Sequence, residues 1–399
     1  MADERRDKEI REEIRRAKRG TRRRSGAPRR AAALLLALAL ALGALGYAAY
    51  REIGGADSLR RRLSYGKAGQ SEDGKTERFR FDNDRTAVYA ALGDELLIVS
   101  TTRILLLDGQ GGELFSRTVS FERPAAVCGG QTAAAYDIGG RELYLFNSRG
   151  LLRDMSGETG NGILSVSINA SDFLALTTLK SGYRAAVSAY DASGAPAFTF
   201  NSSERYVSEA CVLGDNRHVA AVTLGEADGI FASTLTFYAF DSEKPVSATT
   251  LGGSMVLSLG NLGKTLAALE DDRLTLFGAD GSLAGSYRFE YPYLRGRSVG
   301  SDFAALLLAR YRSGSAQRLV TLDGEGNVLG ALETQREILD VSAAGRYLAV
   351  LYADGLTVCT ADLTEYASLA DTDFARRVFM RADGTALLIG ASRAWLFAP

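Results

Sequence analysis

From Arg78 onward the 399-residue sequence repeats itself, and this repeat limits its fold more than any other feature. One unit is a tight Gly/Asp turn followed by an apolar strand of small residues. It occurs as ALGDELLIVS, CGGQTAAAYD, NASDFLALTT, LGDNRHVAAVT, NLGKTLAALE, GSDFAALLLA, AAGRYLAVLY and ADGTALLIGAS. A second unit, an apolar strand that runs into a polar turn, alternates with it: ILLLDGQGGE, LYLFNSRG, VSAYDASG, LTFYAFDSEK, LTLFGADG, LVTLDGEG and LTVCTADL. The turn residues are Asp108, Asn147, Asp191, Asp241, Asp280, Asp323 and Asp362, with successive gaps of 39, 44, 50, 39, 43 and 39.

A period near 40 with about four strands per unit signals a β-propeller. Each blade reads as strand a, tight turn, strand b, variable loop, strand c, Asp/Gly turn, strand d. Runs such as AALLLA and YLAVLY do not alternate, as expected of strands buried on both faces. The expectation is an all-β, eight-bladed β-propeller over residues 77–399. Seven blades is the alternative, with TAAAYDIG as the weakest unit. The last unit, AWLFAP, has no strand after it, so residues 77–82 (ERFRFD) are expected to supply its outer strand and close the ring.

The sequence carries no recognisable catalytic signature. Gly263-Lys264-Thr265 resembles a phosphate loop, but Ser258 stands where the motif needs glycine, and the stretch occupies an a–b turn of the repeat. The Asp/Gly turns lack the spacing of a calcium loop. Asp bonds its own backbone in such turns and Gly supplies positive φ. Cys128, Cys211 and Cys359 are too few and too scattered for a disulfide framework or a zinc site, and each lies in an apolar run that suggests burial. His218 has no second histidine to work with. No catalytic residue, cofactor site or metal site is expected.

The loops say more. The a–b and c–d turns are short throughout, whereas the b–c and d–a connections vary: LKSGYRAA, LGEADGIFAS, ARYRSGSAQR, MSGETGNG, NSSERYV and RFEYPYLRGR. These two variable sets emerge on one face of a propeller. They carry Arg205, Arg310 and the candidate partner-binding residues Tyr183, Tyr206, Tyr291, Tyr293, Arg295, Tyr311 and Arg312. Tyr and Arg are the residue types that anchor interfaces.

Ahead of the repeat, residues 31–50 form twenty consecutive positions without a charge, enough for one transmembrane helix. Residues 1–30 form a basic tail with 13 Lys+Arg against 6 Asp+Glu. The whole chain has a net charge of −1, so the rest carries −8, which argues against nucleic acid as a partner. Ten Lys/Arg fall in residues 11–30 and five in 51–70, so the tail is expected in the cytoplasm and the propeller outside. The lengths of the basic and apolar stretches favour an uncleaved signal anchor over a cleaved signal peptide. Residues 51–76 read as a juxtamembrane linker.

The a–b units, such as MRADGTALLIG and SAAGRYLAVLY, resemble blades of the TolB and YVTN class of propellers. The Gly-His and Trp-Asp pairs of WD repeats do not occur. The chain as a whole is similar to a bacterial family of unknown function, the membrane-anchored propellers of Firmicutes. That likeness rests on the basic tail, the Leu/Ala-rich span, SLRRRLSYGKAG, RFDNDRTAVYAALGD and RADGTALLIGASRAWLF. It implies fold and topology but no activity. The functional expectation is a membrane-anchored, extracytoplasmic binding scaffold for a protein or cell-wall partner. The alternative is a hydrolase or lyase that uses carboxylates in the propeller channel.

Overall fold

The computed structural model describes residues 74–399, apart from Asn83, Asp228 and Glu243, all within the second of two compact units, Lys67–Pro399. The tail, the span at 31–50 and nearly all of the linker lie outside the described residues. Among the described residues no helix is long and apolar enough to cross a membrane.

The described strands form eight four-stranded antiparallel sheets, the blades. Their a strands are Val88–Leu92, Pro124–Gly129, Ile163–Ile168, Tyr206–Val212, Val256–Leu262, Tyr293–Val299, Ile338–Ala344 and Arg377–Met380, which define blades 1 to 8. Seven blades use four consecutive strands. The eighth takes Lys75–Arg80 as its outer strand, paired with Arg393–Phe397. Pairing is therefore Lys75–Arg80 rather than 77–82. Phe79 and Phe81, two positions apart and so on one face, both turn into the core, and a register shift between Glu77 and Phe79 precedes them. The TAAAYD stretch forms a regular strand, Thr132–Asp137, buried at every position, so the seven-bladed alternative falls away.

The core is divided into eight clusters, one between each pair of adjacent blades. In blade 1, Leu97 and Val99 pack with Ala133, Ala135, Tyr144 and Phe146 of blade 2. Their chain neighbours Leu96 and Ile98 point the other way, against Phe79, Leu387, Ile389 and Ala394 of blade 8. Successive side chains leave a strand on opposite faces. A strand sandwiched between two blades must therefore be apolar at every position. A cluster of the same kind lies between blades 8 and 1, so the ring closes through side-chain packing as well as through one strand.

The a strands have no strand partner on their channel side, and many of their polar side chains bond the neighbouring blade instead. Glu209 of blade 4 accepts the Leu259 N–H of blade 5 at 3.1 Å. Asp340 of blade 7 accepts the Val378 N–H of blade 8 at 3.0 Å, and Ser342 accepts Met380 N–H at 2.9 Å. Ser298 of blade 6 accepts Ala343 N–H at 2.8 Å. Ser167 and Asn169 of blade 3 donate to the Ala210 and Leu213 carbonyls of blade 4. These bonds satisfy backbone groups that would otherwise lack partners at the inner edge.

Turn chemistry accounts for the repeated acids. Asp108 Oδ1 accepts the N–H groups of Gln110 and Gly112, both at 2.8 Å, and Asp323 Oδ1 those of Glu325 and Asn327, both at 2.9 Å. In the Asp241 turn the neighbouring Ser242 Oγ takes this role, accepting Lys244 N–H at 3.1 Å. The Gly263-Lys264 pair is the tight turn before Thr265–Glu270, with Gly263 at φ +60°. His218 Nδ1 lies 2.6 Å from Asp215 Oδ2 within another such turn. The expected burial holds for Cys211 and Cys359 but not for Cys128, which is exposed on an a strand at the channel.

Candidate functional site

The antiparallel course of each blade puts the b–c and d–a connections on one face and the a–b and c–d turns on the other. The turn face is knitted together between blades. Asp172 Oδ1 accepts Gln131 N–H at 2.7 Å, and Asn169 Nδ2 donates to Asn216 Oδ1 at 2.8 Å. The loop face is also bridged between blades, as where Gln317 Oε1 of blade 6 accepts the Ile338 N–H of blade 7 at 2.9 Å, but its connections vary more in length.

The seven candidate residues fall into two groups on this face, with blade 5 between them. In the first, Tyr183 of the blade 3 b–c loop and Tyr206 at the start of blade 4 are 45% and 53% exposed. Arg184 stacks 5.1 Å from the Tyr206 ring centre and donates to its hydroxyl at 2.9 Å, while Lys180 lies 5.5 Å over Tyr183. In the second, on blade 6, Arg312 lies 5.8 Å over Tyr293, and Arg310 lies 5.9 Å over Tyr311, which is 58% exposed. The Arg295 guanidinium donates to the carbonyls of Tyr311 and Arg312, holding the b–c loop against the a strand. Cation–π contacts of this kind keep large side chains ordered at the surface.

Tyr291 is half-buried and packs against the core cluster between blades 5 and 6. Two expectations need correction, the loop placement of Tyr293 and Arg295 and the loop reading of LGEADGIFAS. Tyr293 and Arg295 stand on the a strand of blade 6 and not in a loop. Arg295 is the extra residue at a register shift between Leu294 and Gly296. The LGEADGIFAS stretch is a long hairpin, with His218–Ala227 paired to Ile230–Ala239 down to Ala227 against Ile230. An Asp-Gly pair between two strand-forming runs favours a two-residue turn over a loop. Arg205 lies in the d–a connection as expected, and its guanidinium donates to Thr234 Oγ1 at 2.9 Å.

The channel offers less to catalysis than the alternative reading needs. The a strands carry two carboxylates, Glu209 and Asp340, on blades 4 and 7 with two blades between them. Each is occupied by a backbone N–H of the next blade. Burial pushes Glu209 up to about 7, against the Leu259 N–H and the Arg297 charge, which favour the ionised form. Burial also raises Asp340, opposed by Val378 N–H and Arg377. A cavity of 460 Å3 runs along the channel past Ser167, Asn169, Ser258, Asn261 and Arg297. It brings no second carboxylate to Glu209.

Comparison with known proteins places this architecture. A model described as "Family of unknown function (DUF5711)" matches residues 71–364. The chain belongs to the DUF5711 family. No curated protein matches it. Among solved structures, the DUF5711 chain is similar to the C-terminal WD40 domain of Sif2, with a TM-score of 0.56 at 12% identity, covering 82% of this chain and 98% of that one. It is also similar to the computationally designed Ika8 protein, with a TM-score of 0.54 at 10% identity, covering 81% and 99%. At these identities the likeness speaks for the propeller fold alone. The DUF5711 propeller thus shares its ring with WD40 domains while lacking their Gly-His and Trp-Asp pairs.

Proposed function

We propose that this DUF5711 protein is a membrane-anchored, extracytoplasmic scaffold that binds a protein or cell-wall partner through its b–c and d–a loop face. The observation that carries this reading is the pairing of exposed tyrosines with stacked cations, Tyr206 with Arg184 and Tyr311 with Arg310, on a rigid ring. Order in the free protein lowers the entropic cost of association. The apolar stretch at 31–50 and its ten-to-five flanking charge bias support the anchoring and the orientation.

Two experiments test the reading. A photo-crosslinking residue placed at Tyr311 in the full chain in native membranes should give a discrete adduct, while one at Arg346 on the turn face should not. Adducts from Arg346 alone would assign binding to the other face. Protease added to intact cells without an outer membrane should digest the propeller and spare the tail. A protected propeller would refute the orientation.

A further inference from the structure

The same face holds a cavity that none of the seven candidate residues lines. It lies where the ring closes, between blades 7, 8 and 1, and measures 690 Å3. Three arginines border it: Arg85 in the d–a connection into blade 1, Arg376 in the connection into blade 8, and Arg377 at the start of the blade 8 a strand. Only Arg377 has an acidic neighbour, with Nη1 3.7 Å from Asp340 Oδ1. The side chains of Arg85 and Arg376 have no hydrogen-bond or carboxylate partner among the described residues. Asp84 does not pair with them. Its Oδ1 accepts Thr86 N–H at 3.0 Å and Thr86 Oγ1–H at 2.8 Å.

The backbone holds these cations in place. Arg376 N–H donates to Ile389 O at 2.8 Å, and Ala87 N–H closes the Asp84 turn at 3.0 Å around Arg85. Between the arginines the wall is apolar: Ala87, Ile389 and Leu339, the extra residue at the register shift in the blade 7 a strand. Leu339 is 38% exposed, an aliphatic side chain left on the surface beside three guanidiniums. Unpaired guanidiniums stand out in a domain whose share of the chain's charge is negative. Guanidinium forks suit phosphate and carboxylate oxygens, which they bind bidentately.

We propose that this cavity binds a small ligand with a phosphate or carboxylate group on an apolar body, the anion between Arg85, Arg376 and Arg377 and the body against Leu339 and Ile389. The site is separate from the tyrosine groups and does not depend on them.

The test is calorimetric titration of the full chain in detergent with phenyl phosphate, phenylacetate, inorganic phosphate and benzyl alcohol. At least one aromatic anion should bind more tightly than inorganic phosphate, and benzyl alcohol should not compete. Preference between the two anions tells phosphate from carboxylate as the natural group. The double variant Arg85→Ala/Arg376→Ala should lose about tenfold or more in affinity, while Lys264→Ala on the turn face should match the wild type. Should the double variant fold poorly, wild-type affinity must still fall as salt rises to roughly 0.5 M. The proposal fails if neither anion binds by about 10 mM. It also fails if benzyl alcohol binds equally well, if a folded double variant binds like the wild type, or if salt has no effect.

Discussion

Arg381 Nη1 lies 2.8 Å from Asp94 Oδ1, and this ion pair ties the a–b turn of the last blade to that of the first. It is one of three links across the closing seam. The others are the Lys75–Arg80 strand and the shared cluster of Phe79, Phe81, Leu96, Leu107 and Leu387. A partly exposed ion pair contributes on the order of 0 to 1 kcal/mol, so packing and the strand must dominate.

It follows that Phe79→Ala should cost roughly 3 to 5 kcal/mol, the usual loss for a buried phenylalanine, while Arg381→Ala should cost about 1 kcal/mol or less. A truncation that begins at Asp84 removes the strand together with both phenylalanines of the cluster and should melt far lower than the intact domain. Chemical denaturation with circular dichroism measures all three. A truncated protein that melts like the whole would mean that the closing strand is dispensable.

Stability should also depend on pH through Glu209. Its carboxyl titrates at about 7 in the folded protein, against an ordinary value of 4.5, because burial disfavours the charge. The native state therefore holds this proton more tightly than the unfolded chain. The stabilisation that accompanies the proton is complete below 4.5, fades as pH rises, and is gone above about 7. Since Glu209 retains some contact with channel water, the effect is on the order of 1 to 2 kcal/mol. Glu209→Gln keeps an oxygen to accept the Leu259 N–H and removes the charge. It should match the wild type at pH 4.5 and melt higher at pH 8, as thermal scans across pH would show. A wild-type advantage at pH 8 would contradict this account.

The repeat was legible because its causes are local. Gly and Asp turns and the paired apolar runs recur within each blade, and eight such pairs predict eight sheets. The exact span of the closing strand was not, because it depends on a register shift opposite Arg393–Phe397, some three hundred residues away in the chain. Tyr293 and Arg295 read as loop residues because the RFEYPYLRGR stretch varies in length and composition; that the a strand of blade 6 begins at Tyr293 depends on its pairing with Ala304–Ala309. The cavity at the seam was not legible because Arg85 lies near the start of the domain and Arg376 and Arg377 near its end, and ring closure brings the two ends together.

Close blade contacts set a further limit at Gly285, on the outer strand Leu283–Arg288 of blade 5. A Cβ there would lie 1.8 Å from the Glu325 carbonyl oxygen in the c–d turn of blade 6. Backbone cannot yield as a side-chain tip can, so Gly285→Ala should cost roughly 1 to 3 kcal/mol. A Cβ at Gly253 meets nothing within 4 Å, and Gly253→Ala should stay within about 0.5 kcal/mol of the wild type. Equal urea midpoints for the two variants would show that the blades can slide apart at no cost.

The last prediction concerns the binding face. Tyr311 is largely exposed, and Tyr293, half-buried at the first position of its strand, has Arg312 over its ring. Replacing both with Ala removes little buried area, so Tyr293→Ala/Tyr311→Ala should melt within a few degrees of the wild type. The same change strips the blade 6 group of both rings that its arginines stack upon. Interface anchors of this kind cost about 2 kcal/mol or more when truncated, so crosslinking yield from a probe elsewhere on the loop face should fall at least tenfold. Arg184→Ala separates the two groups. It frees Tyr206 without touching blade 6, and its effect on yield reports whether the partner spans from blade 4 to blade 6. An undiminished yield in the tyrosine double variant, with loss when the a–b turns are altered, would move the partner to the opposite face of the ring.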